Sequence, residues 1–157
     1  MITRRALLTL GVVALVAGAG RRAQAAAFPV SYPDAQWRQR LSPEQYAVLR
    51  QSATERPFTS PLLQEHRRGD FLCAGCDQPA FASTTKFESG TGWPSFWMPL
   101  PDAVATVTDR SDGMIRTEVH CARCGGHLGH VFDDGPPPTG KRYCMNGVAL
   151  KFRPAAG

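Results

Sequence analysis

Apolar positions come in short bursts along this chain, and the one long burst stands at its start. Ala6 to Ala19 carries no charge, and Arg4-Arg5 and Arg21-Arg22 bracket it. That run is too short to span a bilayer comfortably. A basic start, an apolar stretch and the small-x-small site Ala23-Gln24-Ala25 predict a cleaved export signal over residues 1–25 and a single domain over 26–157. Thr3-Arg4-Arg5-Ala6-Leu7-Leu8 has the form of a twin-arginine signal, and Arg21 and Arg22 disfavour the general secretory route. The alternative is an ordinary secretory signal with a chance arginine pair. Either way the expected location is periplasmic or secreted, with no stable membrane insertion.

In the expected domain, Pro29 and Pro33 predict an extended lead-in from Ala26 to Arg40. Ser42-Pro43-Glu44-Gln45 predicts a helix start: Ser42 caps, Pro43 fits the first turn, and Gln45 closes a capping box. Leu41 and Tyr46 form its staple, Tyr46, Leu49 and Ala53 its inner face, and Pro57 its end. Leu62 to His66 reads as a second short helix closed by Gly69. Beyond Gly69 the period falls to two. Phe71-Leu72, Ala103 to Thr108, part of Met114 to Val119, Val131-Phe132 and Val148 to Phe152 are strand segments, with a turn at Asp112-Gly113. Phe87 to Trp97, with Gly90, Gly92 and Pro94, is a shaped loop. Short apolar segments among 15 glycines and 13 prolines point to a β-rich, turn-rich domain.

The formal charge of +5 misleads. Four of the 18 basic residues lie in the expected signal, which leaves 14 against 13 acids over 132 residues. No basic stripe remains, so nucleic acid and acidic membranes are excluded as partners.

Five cysteines carry the chemistry. Cys73/Cys76 and Cys121/Cys124 are two Cys-x-x-Cys pairs at the spacing of a closed, tetrahedral, structural zinc site holding one ion. Two local disulfides are the competing reading, but such tight rings are typically redox-active rather than passive staples. His120 is then second to the four thiolates or exposed. Cys144 is left over, as either a small buried residue or a nucleophile. Arg142 two residues before it, and His127 and His130 in a nearby turn-rich segment, favour thiolate chemistry. Trp97 reads as core packing. Trp93 follows Gly92 and offers an indole N–H to a polar oxygen beside an apolar wall. Glu88 and Asp134 read as solvated loop residues.

Taken together, these residues resemble the B-type peptide methionine sulfoxide reductases, the methionine-R-sulfoxide reductase family. The likeness rests on Thr54-Glu55-Arg56-Pro57-Phe58-Thr59, Lys86 to Phe96, His127-Leu128-Gly129-His130-Val131-Phe132 and Arg142-Tyr143-Cys144, with both knuckles in place, and it covers about residues 36–154. It implies a mainly β fold of two antiparallel sheets, partly barrel-like, with small peripheral N-terminal helices. It also implies roles: Cys144 as nucleophile, Trp93 against the substrate methyl group, His127, His130 and Asn146 around the sulfoxide oxygen, Arg142 near the thiolate, and Asp134 as a supporting acid. Cys144 would attack the sulfoxide sulfur while His127 or His130 protonates the oxygen, leaving methionine and a sulfenic acid.

Two positions depart from the family pattern. Thr91 stands where many members carry a resolving cysteine, so the resemblance implies a one-cysteine enzyme recycled by an external thiol, thioredoxin-like or glutathione-type. Gly147 stands where serine is usual, which removes a hydroxyl near Cys144 and Asn146. The implied substrates are oxidised proteins or peptides. The rival functions are a zinc-stabilised thiol–disulfide oxidoreductase and a non-catalytic peptide-binding module.

Overall fold

The computed structural model describes residues 28–156. The expected export signal lies outside the described residues. In chain order the elements are α1 (Asp34–Arg40), α2 (Pro43–Gln51), β1 (Gly69–Cys73), β2 (Pro79–Ala82), β3 (Lys86–Phe87), β4 (Ser95–Phe96), β5 (Val104–Asp109), β6 (Arg116–Cys121), β7 (His127–Phe132), β8 (Arg142–Met145) and β9 (Leu150–Pro154). Strands β2-β1-β9 form one antiparallel sheet, and β3-β4-β8-β7-β6-β5 form a second. The fold is mainly β in two open sheets with two small helices. Among the described residues no helix is long and apolar enough to cross a membrane.

Local sequence explains α2 well. Ser42 accepts from the Gln45 N–H at 3.2 Å, and the Gln45 side chain accepts from the Ser42 N–H at 3.1 Å. Leu41 and Tyr46 are both buried, as the staple requires. The helix stops at Gln51 rather than at Pro57, because Ser52 turns into the left-handed region at φ 55°. The lead-in is not extended throughout: α1 occupies its second half. Pro33 is its N-cap, where the first turn's N–H groups have no helical partner, so a proline there costs nothing. Asp34 answers Arg38 one turn on, and Trp37 buries itself. The predicted helix at Leu62 is one 3₁₀ turn, Pro61–Gln64, under a Ser60 cap. The segment from Val148 is likewise divided, with a 3₁₀ turn at Gly147–Ala149 before β9.

The core lies between the sheets. Phe81 stacks on Phe96 at 4.4 Å, and Phe71 meets Phe96 edge-on at 4.9 Å. Leu128, Met145 and Val119 fill in beside them with no exposed surface. Trp97, expected in this core, is only half-buried and stays out of it. Phe96, its neighbour in the chain, takes the inward place instead, as strand alternation dictates. The same alternation along β8 turns Met145 into the core and leaves Cys144 on the opposite face.

Candidate functional site: a thiol cleft and a four-cysteine cluster

Cys144 sits in the middle of β8, between β4 and β7. Its register partners are Ser95 on one side and His130 on the other. Directly opposed residues share a sheet face, so the thiol and the imidazole look into the same space. That space is a cleft walled by Trp93, Phe132, Thr54 and Asn146. Gly129 brings β7 and β8 close at its floor: a Cβ there would lie 2.1 Å from the Cys144 carbonyl oxygen.

His127 and His130 are three residues apart, which on a regular strand puts them on opposite faces. A register shift in the β6–β7 pairing at Val119/His120 inserts the extra residue that corrects this. Both rings then meet, with centroids 5.4 Å apart. They are not equivalent. His130 lines the cleft with Cys144. His127 lines a second, more polar chamber, which shares Thr54, Arg116 and His130 with the first. Each ring is held by a carboxylate. His127 Nδ1 lies 2.8 Å from Glu118, and His130 Nε2 lies 2.8 Å from Asp109. Burial holds His127 below the ordinary imidazole range despite Glu118, so it is uncharged at neutral pH. Its Nδ1–H then donates to Glu118. The Ser111 hydroxyl and N–H, then His130, hold Asp109 well below the usual carboxylate range.

Arg142 is a cation close to the thiol. Asp134 grips it in a fork at 2.9 and 2.8 Å, and its guanidinium lies 4.5 Å from the Phe132 ring centroid. That contact raises Arg142 further above its already high range and lowers Asp134. Asp134 is therefore anchored, although its side chain is exposed. Glu88 remains an exposed loop acid paired with Lys86.

Two expected roles are altered by contacts. The Trp93 indole N–H is already spent on the Glu55 carbonyl at 2.9 Å, so it is not free to hold a ligand oxygen. Asn146 is a clamp: its carbonyl accepts from the Glu55 N–H at 2.8 Å, and its amide donates to the Leu128 carbonyl at 3.1 Å. Glu55 closes the set, its carboxylate accepting from the Gly147 N–H at 2.6 Å. One residue thus ties the cleft wall at Trp93 to the strand end after Cys144. The hydroxyl missing at Gly147 has a stand-in. A Cβ at Gly147 would lie 1.9 Å from Ser60 Oγ, so Ser60 fills the volume a larger side chain would need.

The four remaining cysteines gather at the other end of the fold. Cys73 Sγ lies 3.6 Å from Cys124 Sγ, and Cys76 Sγ 3.6 Å from Cys121 Sγ, with all four within 4.8 Å of one another. Four thiolates on zinc at about 2.3 Å stand about 3.8 Å apart, whereas a disulfide needs about 2.05 Å. The set fits a tetrahedral metal, and both 3.6 Å pairs run between the knuckles. Each knuckle is closed by a residue at positive φ, Asp77 at 58° and Gly125 at 67°. Cys73 ends β1 and Cys121 ends β6, so the cluster ties one sheet to the other. His120 is outside it and packs edge-on against Phe28.

Site and fold together describe a cysteine-centred cleft on a two-sheet scaffold with a metal-binding cysteine cluster. The chain belongs to the SelR domain family, whose model matches residues 41–154. It is 56% identical over 126 residues to the peptide methionine sulfoxide reductase MsrB of Agrobacterium fabrum, covering 80% of this chain and 93% of that protein. Similar matches are the proteins of the same name from Thiobacillus denitrificans, at 57% over 77% of this chain and 92% of that one, and Pseudomonas putida, at 58% over 78% and 92%.

Asp109, Glu118 and Glu55 were not legible as site residues. Glu118 sits in a strand that alternates visibly, but its partner is set by register, which no local pattern gives.

Proposed function

We propose that this protein reduces peptide-bound methionine-R-sulfoxide to methionine, with Cys144 as nucleophile and His130 as proton donor. The observation that carries it is the pairing of Cys144 with His130 across β8 and β7 in one cleft beside Trp93. The Cys144 thiolate attacks the sulfoxide sulfur. Negative charge builds on the oxygen, and His130 delivers a proton there. The hydroxyl then passes from the substrate sulfur to Cys144 Sγ: the substrate S–O bond and the new sulfur–sulfur bond break, methionine leaves with the electron pair on its sulfur, and Cys144 is left as a sulfenic acid. His130 is favoured over His127 because it lines the cleft with Cys144, whereas His127 lines the second chamber and not the cleft. Asp109 holds the His130 ring through Nε2, leaving Nδ1 for the substrate. Trp93 and Phe132 supply apolar surface for the methyl group. Arg142 supplies positive charge near the thiolate.

Cys73, Cys76, Cys121 and Cys124 would hold one zinc ion, whose contribution is structural because four protein ligands leave no open position. Thr91 leaves no second thiol beside Cys144, so an external thiol, thioredoxin-like or glutathione-type, returns the sulfenic acid to the thiol. Export by the twin-arginine route would place this repair outside the cytoplasm, with the cysteine cluster filled before export.

Mixing zinc-loaded enzyme with excess methionine-R-sulfoxide and no reductant gives one methionine per chain and a sulfenic acid at Cys144, read by mass after trapping with a dione. His130→Gln slows this burst by about 10²–10⁴-fold, the range of general acid catalysis. His127→Gln slows it far less. A burst equally slow in both variants contradicts the assignment of the donor.

A further inference from the structure

We propose that Thr91 is a catalytic residue whose hydroxyl donates a hydrogen bond to the Cys144 thiolate, backed by a wire of hydroxyls, Ser89 and Ser95, that can reverse its direction. This rests on the reading of Cys144 as nucleophile.

The wire is continuous. Thr91 Oγ1 lies 3.7 Å from Cys144 Sγ and 2.9 Å from Ser89 Oγ. Ser89 Oγ lies 2.7 Å from Ser95 Oγ, which reaches the Trp93 carbonyl at 3.2 Å. Ser95 is 1% exposed and is the register partner of Cys144, so the wire runs from the nucleophile back into the sheet.

Counting protons gives it two states. Four links join a thiol, three hydroxyls and one carbonyl, and the carbonyl only accepts. With Cys144 as a thiol there are four protons for four links. The S–H points to Thr91, Thr91 to Ser89, Ser89 to Ser95, and Ser95 to the Trp93 carbonyl. A thiolate leaves three protons for four links, so one link must be lost. Each hydroxyl turns about its C–O bond without moving a heavy atom. Thr91 then points to the sulfur, Ser89 to Thr91, and Ser95 to Ser89. The link given up is the one from Ser95 to the carbonyl, the longest oxygen–oxygen link in the wire. The link gained is to an anion, and charge-assisted hydrogen bonds are the stronger kind.

The placement is useful because the imidazole and the guanidinium groups stand elsewhere. His130 faces the thiol from β7, Arg142 from its own strand, and Arg116 lines the cleft from β6. On the β4 side, the groups facing it are the hydroxyls of Ser95 and Thr91.

The test compares zinc-loaded wild type with Thr91→Val, Thr91→Ser and Ser89→Ala. Alkylation of Cys144 by iodoacetamide at fixed neutral pH is followed by intact mass, beside kcat/KM for methionine-R-sulfoxide. Thr91→Val keeps the shape and loses the donor. It is expected to slow alkylation by about tenfold, as loss of one hydrogen bond to a charged group does, with a matching fall in kcat/KM. Thr91→Ser recovers most of the loss, and Ser89→Ala falls between. Wild-type alkylation in Thr91→Val overturns the proposal; should that variant not fold, equal rates in wild type, Thr91→Ser and Ser89→Ala overturn it too. A wild type that reduces no sulfoxide overturns the functional reading instead, and the alkylation rates still decide whether Thr91 serves the thiolate.

Discussion

Removing a zinc ion held by the four cysteines is expected to unfold this protein at room temperature. The four sulfurs join the end of β1 in one sheet to the end of β6 in the other, across 45 to 51 residues of chain. Zinc binding to such a site is worth about 10–16 kcal/mol at neutral pH. A domain of this size has only about 5–15 kcal/mol of total stability. Losing the ion therefore removes as much free energy as the fold possesses. Two helpers do not rescue it: Arg50 donates to the Cys124 carbonyl at 3.1 Å and Arg123 to the Cys76 carbonyl at 3.2 Å, but both bonds hold the knuckles rather than the sheets. Thiol counting reads the outcome directly. Zinc-loaded protein should react at one cysteine, Cys144, and chelated protein at all five, with loss of the cooperative melt. Cys121→Ser should behave as the chelated protein does. A chelated protein that keeps its melting transition contradicts the metal's structural role.

Cys144→Ser is expected to lower sulfoxide reduction by at least about 10³-fold, because a serine hydroxyl is not ionised at neutral pH and forms no stable sulfenic equivalent. The fold should not notice. Cys144 projects into the cleft, away from the Phe71–Phe81–Phe96 core, so the melting transition moves by less than about 1 kcal/mol. Zinc content stays at one per chain. The variant is expected to separate the two thiol systems, the proposed nucleophile and the proposed metal ligands. Measuring turnover, metal content and melting on the same sample makes the separation visible.

What the sequence made legible was what is local. The capping box at Ser42, the hairpin around Asp112-Gly113, the two knuckles and the unspent Cys144 each declare themselves within a few residues. What it hid was set by register and by context. Pro33 reads as a breaker from composition, yet at an N-cap it starts α1. Trp97 reads as core because it is large, but strand alternation gives the inward place to Phe96. Asp109 and Glu118 reach the histidines only because β5, β6 and β7 pair in one alignment with one bulge. The Gly92-Trp93 step marked Trp93 and the resemblance added Asn146, but neither gave the Glu55 contacts that hold both. Gly147 looked like a lost hydroxyl until Ser60, distant in sequence, proved to occupy its space.

The most direct measurement follows reduction of the separate R and S epimers of a dabsylated methionine sulfoxide by zinc-loaded wild type, with dithiothreitol as the reductant. Turnover of the R epimer alone is expected, since one cleft fixes thiol, acid and methyl wall in a single handed arrangement. Equal turnover of both epimers, or of neither, contradicts it.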